Sequence, residues 1–121
     1  MIHQATSLRP FIGAADFEES RHFYKELGFQ ESAISGQLSY FSITPQLGFY
    51  LQNAYVKDWV DNTMLFVEVK DAEDQYRQLE KLALHQKYKN VRLIPIKDND
   101  WGRECFLHDP AGILWHFGQF K

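Results

Sequence analysis

Two stretches of the chain share one pattern. FIGAADFEESRHFYKELGF at 11–29 and FVEVKDAEDQYRQLEKLAL at 66–84 begin 55 residues apart. Each passes from an apolar, strand-like run through an aspartate into an amphipathic helix. In the first, Asp16 takes the N-cap position with Glu19 three residues on. Phe17, Phe23, Tyr24 and Leu27 then supply an apolar helical face, and Gly28 ends it. In the second, Asp71 caps a helix whose buried stripe is Ala72, Tyr76, Leu79 and Leu82, while Glu73, Asp74, Arg77, Glu80 and Lys81 face water. The acidic residues clustered at both helix starts meet the positive end of the macrodipole, so they are assigned to structure rather than to acid–base chemistry.

Three strand-like runs follow each helix. The first set is 30–35, 38–43 and 47–52, separated by Ser35-Gly36 and Thr44-Pro45-Gln46; the second is 91–96, 103–108 and 113–117, separated by Asp98-Asn99-Asp100 and by Asp109-Pro110-Ala111-Gly112. Each half therefore reads strand, helix, strand, strand, strand. The expected organisation is one domain spanning 1–121, with a first module at about 8–53, a linker at about 54–62 and a second module at about 63–120. A module of about 55 residues buries too little apolar surface to be stable by itself, so the two must share a core. The class is α+β, built from two copies of a βαβββ unit.

Composition narrows the function. Ten Phe, six Tyr and three Trp exceed what a minimal core of this size requires, which leaves rings to line a pocket. A net charge of −3, with no basic cluster interleaved with aromatics, argues against a nucleic-acid partner, because phosphate neutralisation needs an excess of Lys and Arg. No apolar run approaches the roughly 18 residues of a membrane-spanning helix, and MIHQATSLRP has neither a basic start nor an apolar signal core, so a cytoplasmic protein without a membrane partner is expected. A single cysteine, Cys105, excludes an intrachain disulfide and a CxxC pair, and its place within RECFL reads as a buried structural thiol. There is no GxSxG elbow and no glycine-rich phosphate loop after a strand.

Two motifs carry a resemblance. AADFEESRHFYKELGF and WGRECFLHDPAGILWHF, with Pro10 near the first strand and DNT before the fifth, resemble the vicinal oxygen chelate superfamily, which includes glyoxalase I, extradiol dioxygenases and bleomycin-resistance proteins. The similarity is greatest to the bleomycin-resistance proteins. It implies that the two modules form a half-open barrel of eight strands around a concave cavity, usually completed across a homodimer.

The enzymes of that superfamily hold a divalent metal at four cavity positions. Carried over residue by residue, these fall on Arg9, on Met64, on Tyr50 or Gln52, which share a side, and on His116, seven residues after Asp109. Arginine keeps its proton and has no acceptor, and a thioether is too soft for an oxygen and nitrogen site. His116 alone is a good ligand, whereas a catalytic zinc ordinarily takes three protein ligands. His3, His22, His85 and His108 fall in a tail, on a helix flank, after a helix and before a turn. No metal and no other cofactor is therefore expected.

The expected ligand-binding residues are Tyr40, Tyr50 and Gln52 on strands, with Phe106 beside them, Tyr55 and Trp59 at the rim, Trp101 and Arg103 at the seventh strand, and His116 on the last. Arg9 and Arg103 are expected to add positive charge near the cavity. Flat rings suit a small aromatic or amphipathic guest, bound in a homodimer without being changed. The rival expectation is a metal-dependent glyoxalase-like lyase or dioxygenase with an altered ligand set that includes His116 and Gln52. A third is a structural dimer whose cavity is vestigial.

Overall fold

The computed structural model describes residues 3–121. Among them the elements run β1 (Phe11–Gly13), α1 (Phe17–Glu26), β2 (Gln30–Ser35), β3 (Leu38–Thr44), β4 (Leu47–Gln52), α2 (Lys57–Asp61), β5 (Met64–Glu68), α3 (Ala72–Leu82), α4 (Leu84–Lys87), β6 (Arg92–Asn99), β7 (Gly102–His108) and β8 (Leu114–Phe120). The strands form two four-stranded mixed sheets, β1-β4-β3-β2 and β5-β8-β7-β6, which are not closed on each other. In each, the first strand lies parallel to the last strand of its own unit and the remaining neighbours pair antiparallel. Parallel pairing requires a crossover, and here each crossover carries a helix.

The aspartates do what their spacing predicts. Asp16 accepts from the Glu19 backbone N–H at 3.1 Å, and Asp71 accepts from that of Asp74 at the same distance. Gly28 ends α1 in the left-handed region, with φ 103°. At the end of α3 the left-handed residue is Ala83 instead, and α4 follows at once. Leu82, expected on the buried stripe, is exposed in the last turn of α3. Strands β6 and β8 run beyond the expected 96 and 117, to Asn99 and Phe120, because Asn99 pairs with Gly102 and Gly102 with Phe120. A partner strand already in place extends the ladder through residues of low strand propensity.

Alternation divides every strand. Phe41, Phe49, Leu51, Cys105, Leu107, Trp115 and Phe117 enter a common core with Phe23 and Tyr24 of α1, while their chain neighbours turn the other way. Trp115 joins the two units, with its ring 5.9 Å from Tyr24 and 5.2 Å from Phe49. A polar knot lies within this apolar contact. Tyr24 Oη donates to Asp109 Oδ2 at 2.6 Å and accepts from Trp115 Nε1 at 3.0 Å. The other oxygen of Asp109 accepts the backbone N–H groups of Ala111, Gly112 and Ile113 at 2.8–2.9 Å, which shapes the turn into β8. Among the described residues no helix is long and apolar enough to cross a membrane.

One surface pair is placed to matter for acid stability. Arg21 grips both oxygens of Glu31 from Nε and Nη2, at 2.5 and 3.0 Å, and Ser39 Oγ donates to the same carboxylate at 2.6 Å. The guanidinium above all, with help from the hydroxyl, holds the Glu31 carboxyl down at about 2. Because that lies below the ordinary value of 4.5, the stabilisation is complete above 4.5 and disappears as pH falls through about 2. Solvent at the outer end of the pair screens it to about 1–2 kcal/mol. Arg21→Ala is expected to lose this amount near neutrality and to flatten the acid limb of a urea-denaturation series. An unchanged limb would show that the pair is energetically silent.

Candidate functional site

The face of the first sheet opposite the core carries a cationic aromatic platform. Tyr40 and Tyr50 stand directly across from each other in register, with ring centroids 5.4 Å apart. Phe11 of β1 stacks on Tyr50 at 4.7 Å. Arg9 lies over Tyr40, its guanidinium carbon 4.3 Å from the ring centroid, and donates to Tyr50 Oη at 3.1 Å, which favours the charged form. Tyr40 can lie this low because Gly48 is bare: a Cβ there would meet its hydroxyl at 2.1 Å. Gln52 ends the same face of β4.

The corresponding face of the second sheet carries a larger cluster. Phe66, Trp101 and Phe120 contact one another at 5.3–5.7 Å, and all three are exposed. His116 lies beside them, 6.1 Å from Phe66 and 5.0 Å from Phe106. The device used at Gly48 recurs, since a Cβ on Gly118 would sit 2.2 Å from the tip of the Phe66 ring. Beneath the rings runs a polar chain. Asn99 Nδ2 donates to Glu104 Oε2 at 2.8 Å, and Glu104 Oε1 lies 2.9 Å from His116 Nδ1.

The structure thus distributes the expected residues over two faces, Tyr40, Tyr50 and Gln52 on one and Trp101 and His116 on the other. Arg9 joins the first group. Arg103 joins neither; it shares the core-side parity of Cys105 and pairs with Glu73 of α3 at 2.9 Å and with Asp98 at 3.0 Å. Trp59 is half-buried on α2, packed against the core and over Gly13, where a Cβ would come within 2.6 Å of its ring. Tyr55 is exposed in the segment before α2. Phe66, Phe120, Glu104 and Asn99 were not anticipated. Strict alternation from His116 to Phe120, and across the hairpin to Glu104, would have found two of them.

Between the β3–β4 hairpin and β5 lies an apolar cleft of about 570 Å³, lined by Ile43, Leu47, Phe49, Leu65, Val67 and Trp115 among others. Its size suits a small molecule, and its lining also takes in Phe66 and the charged Glu68 and Lys70.

The residues at the metal positions of the resembled superfamily do not fit a divalent ion. Arg9 places a fixed cation among them, Met64 is an exposed thioether on β5, and the one imidazole, His116, has its Nδ1 engaged by Glu104. Among the described residues no three His, Cys, Asp or Glu side chains are grouped to share an ion. Burial pushes the Cys105 thiol up to about 11, the opposite of what a nucleophile needs.

No family model and no curated protein matches the sequence. Solved structures do match in shape. The bleomycin-binding protein of Streptomyces verticillus, crystallised with copper(II)-bleomycin, superposes with a TM-score of 0.82 at 19% identity, covering 99% of this chain and 100% of that one. A bleomycin resistance determinant encoded on the transposon Tn5 gives 0.80 at 18%, with 97% and 99% covered. TnmS3, an antibiotic-binding protein from Streptomyces sp. CB03234, gives 0.74 at 16%, with 99% and 100% covered. At these identities the likeness establishes the fold: two βαβββ units arranged as in the bleomycin-resistance and glyoxalase proteins.

Proposed function

We propose that this chain is a small-molecule binding protein that holds an aromatic or amphipathic guest against its two aromatic faces without transforming it. The observation that carries the reading is the ring cluster on the outer face of each sheet, half-buried at Tyr40 and Tyr50 beside exposed Phe11 on the first and exposed at Phe66, Trp101 and Phe120 on the second, with Gly48 and Gly118 leaving room for the rings. Side chains of this size on the water-facing side of a sheet make no contribution to the core, and patches of this kind mark binding surfaces. The shared fold with antibiotic-binding proteins supports the same reading. In the proposed assembly the chain acts as one two-module unit in a cytoplasmic homodimer, the first module's face of one copy meeting the second module's face of the other. Arg9 disfavours a cationic glycopeptide such as bleomycin and favours a neutral or anionic guest.

The test is a thermal-shift screen of the purified full chain against planar aromatics, with copper(II)-bleomycin included. A true guest at a hundred times its dissociation constant should stabilise the protein by about 2.7 kcal/mol, and Phe66→Asp should abolish the shift with the fold retained. Quenching of Trp101 emission should follow the same titration. A broad panel that moves neither readout would defeat the proposal, and a monomer mass at micromolar concentration would defeat its dimeric form.

A further inference from the structure

We infer that His116 is a fixed hydrogen-bond acceptor set among the rings of the second face, and that the guest is a planar aromatic bearing an O–H or N–H donor, such as a phenol or an aryl amine. This rests on the binding function proposed above and adds to it the polarity of the guest.

Asn99 Nδ2 donates to one oxygen of Glu104, and the other oxygen faces His116 Nδ1 at 2.9 Å. An ionised carboxylate can only accept, so in the neutral imidazole the proton resides on Nδ1 and the lone pair on Nε2. That Nε2 is buried and has no hydrogen-bond partner among the described residues. A buried acceptor left unpaired costs free energy that a guest's donor recovers once the side chains covering it give way to the guest. The surroundings select what arrives with that donor. Phe106 meets the imidazole edge-on at 67°, Phe66 lies near-parallel to it at 30°, and Trp101 and Phe120 extend the apolar surface from Phe66. The rings select a flat body and Nε2 selects a donor on it. Glu104 acts through His116 and is a positioning residue; it is almost wholly buried, and its carboxylate oxygens face the imidazole and Asn99.

Two measurements on the full chain test this. The nitrogen-15 spectrum of the free protein above the pH of imidazole titration should show His116 protonated at Nδ1, the less common form of a free histidine, and Glu104→Ala should remove that bias. Calorimetric titration with 2-naphthol and with its methyl ether, 2-methoxynaphthalene, should give at least about fivefold tighter binding of the naphthol. The ratio should fall to about one in His116→Phe and shrink in Glu104→Ala, with the ether's affinity kept. A proton on Nε2 in the free protein, equal affinity for the two probes, or a ratio that survives His116→Phe would each overturn the acceptor. Equal binding would leave the binding function standing; failure of both probes to bind would overturn the guest class inferred here, and the binding function falls only if the broad panel fails as well.

Discussion

Asp109→Ala is expected to cost about 3–5 kcal/mol, read as a fall in the urea midpoint with an unchanged slope. Asp109 is fully buried and answers four donors at once, the three N–H groups of its own turn and the hydroxyl of Tyr24. An alanine there removes the side-chain acceptor from the N–H groups of Ala111 and Ile113 and from the Tyr24 hydroxyl, while the Gly112 N–H keeps the Asp109 backbone carbonyl at 3.1 Å. It also frees the hydroxyl through which Trp115 Nε1 is tied to α1, so the contact that joins the two units loosens. Tyr24→Phe is the milder companion, at about 1–3 kcal/mol, because it orphans one carboxylate oxygen and one indole N–H and keeps the turn. Burial pushes the Asp109 carboxyl up to about 6 from an ordinary 3.8, despite the bonds that favour its charge. A value raised on folding means that this side chain supports the fold most fully below 3.8 and progressively less as pH rises through about 6. The gap between wild type and Asp109→Ala should therefore be wider at acid than at neutral pH, by on the order of 2 kcal/mol. A gap independent of pH would show that folding leaves the proton affinity of this carboxyl unchanged.

Gly102→Ala is the second severe substitution. A Cβ on Gly102 would lie 2.0 Å from the Gln119 carbonyl oxygen and 3.0 Å from Phe120 Cα, both backbone atoms of the paired strand β8. Neither can rotate aside, so β7 and β8 must part at that end, at a cost of about 2–4 kcal/mol. The damage reaches the proposed binding face, because Trp101 and Phe120 flank this contact and pack on each other. Emission of Trp101 should shift to longer wavelength along with the loss of stability. Stability within about 0.5 kcal/mol of wild type would show that the ladder tolerates the methyl. The WGR motif thus has a structural meaning at its middle residue.

Much of this was legible, and the exceptions have physical reasons. The repeat, the capping aspartates and the strand alternation put Tyr40 on one strand and Tyr50 and Gln52 on a shared side of the next, but which side faces out is fixed only once one residue of the strand is known to be buried, as Phe41 and Phe49 are here. Arg103 was misplaced by the same rule left unapplied: it lies three residues from Phe106, so the two cannot share a face, and α3 offers it Glu73. Trp59 was not readable. Its partner is the bare backbone of Gly13, far away in sequence, and an aromatic residue in a linker carries no mark of whether it covers a glycine or a ligand. Glu104 was missed because a carboxylate within an apolar strand has meaning only when the hairpin register, Phe106 opposite His116, brings it beside its imidazole.

The alternation has a last consequence. In β3, β4, β5, β7 and β8 the even-numbered residues, among them Tyr40, Tyr50, Phe66, Glu104 and His116, form the proposed binding faces, while odd-numbered Phe41, Phe49, Cys105, Leu107, Trp115 and Phe117 carry cohesion. Mutations drifting through every other codon can therefore redraw the outer faces while the interior stays as it was, so under the proposed function such a scaffold changes guests faster than it changes shape.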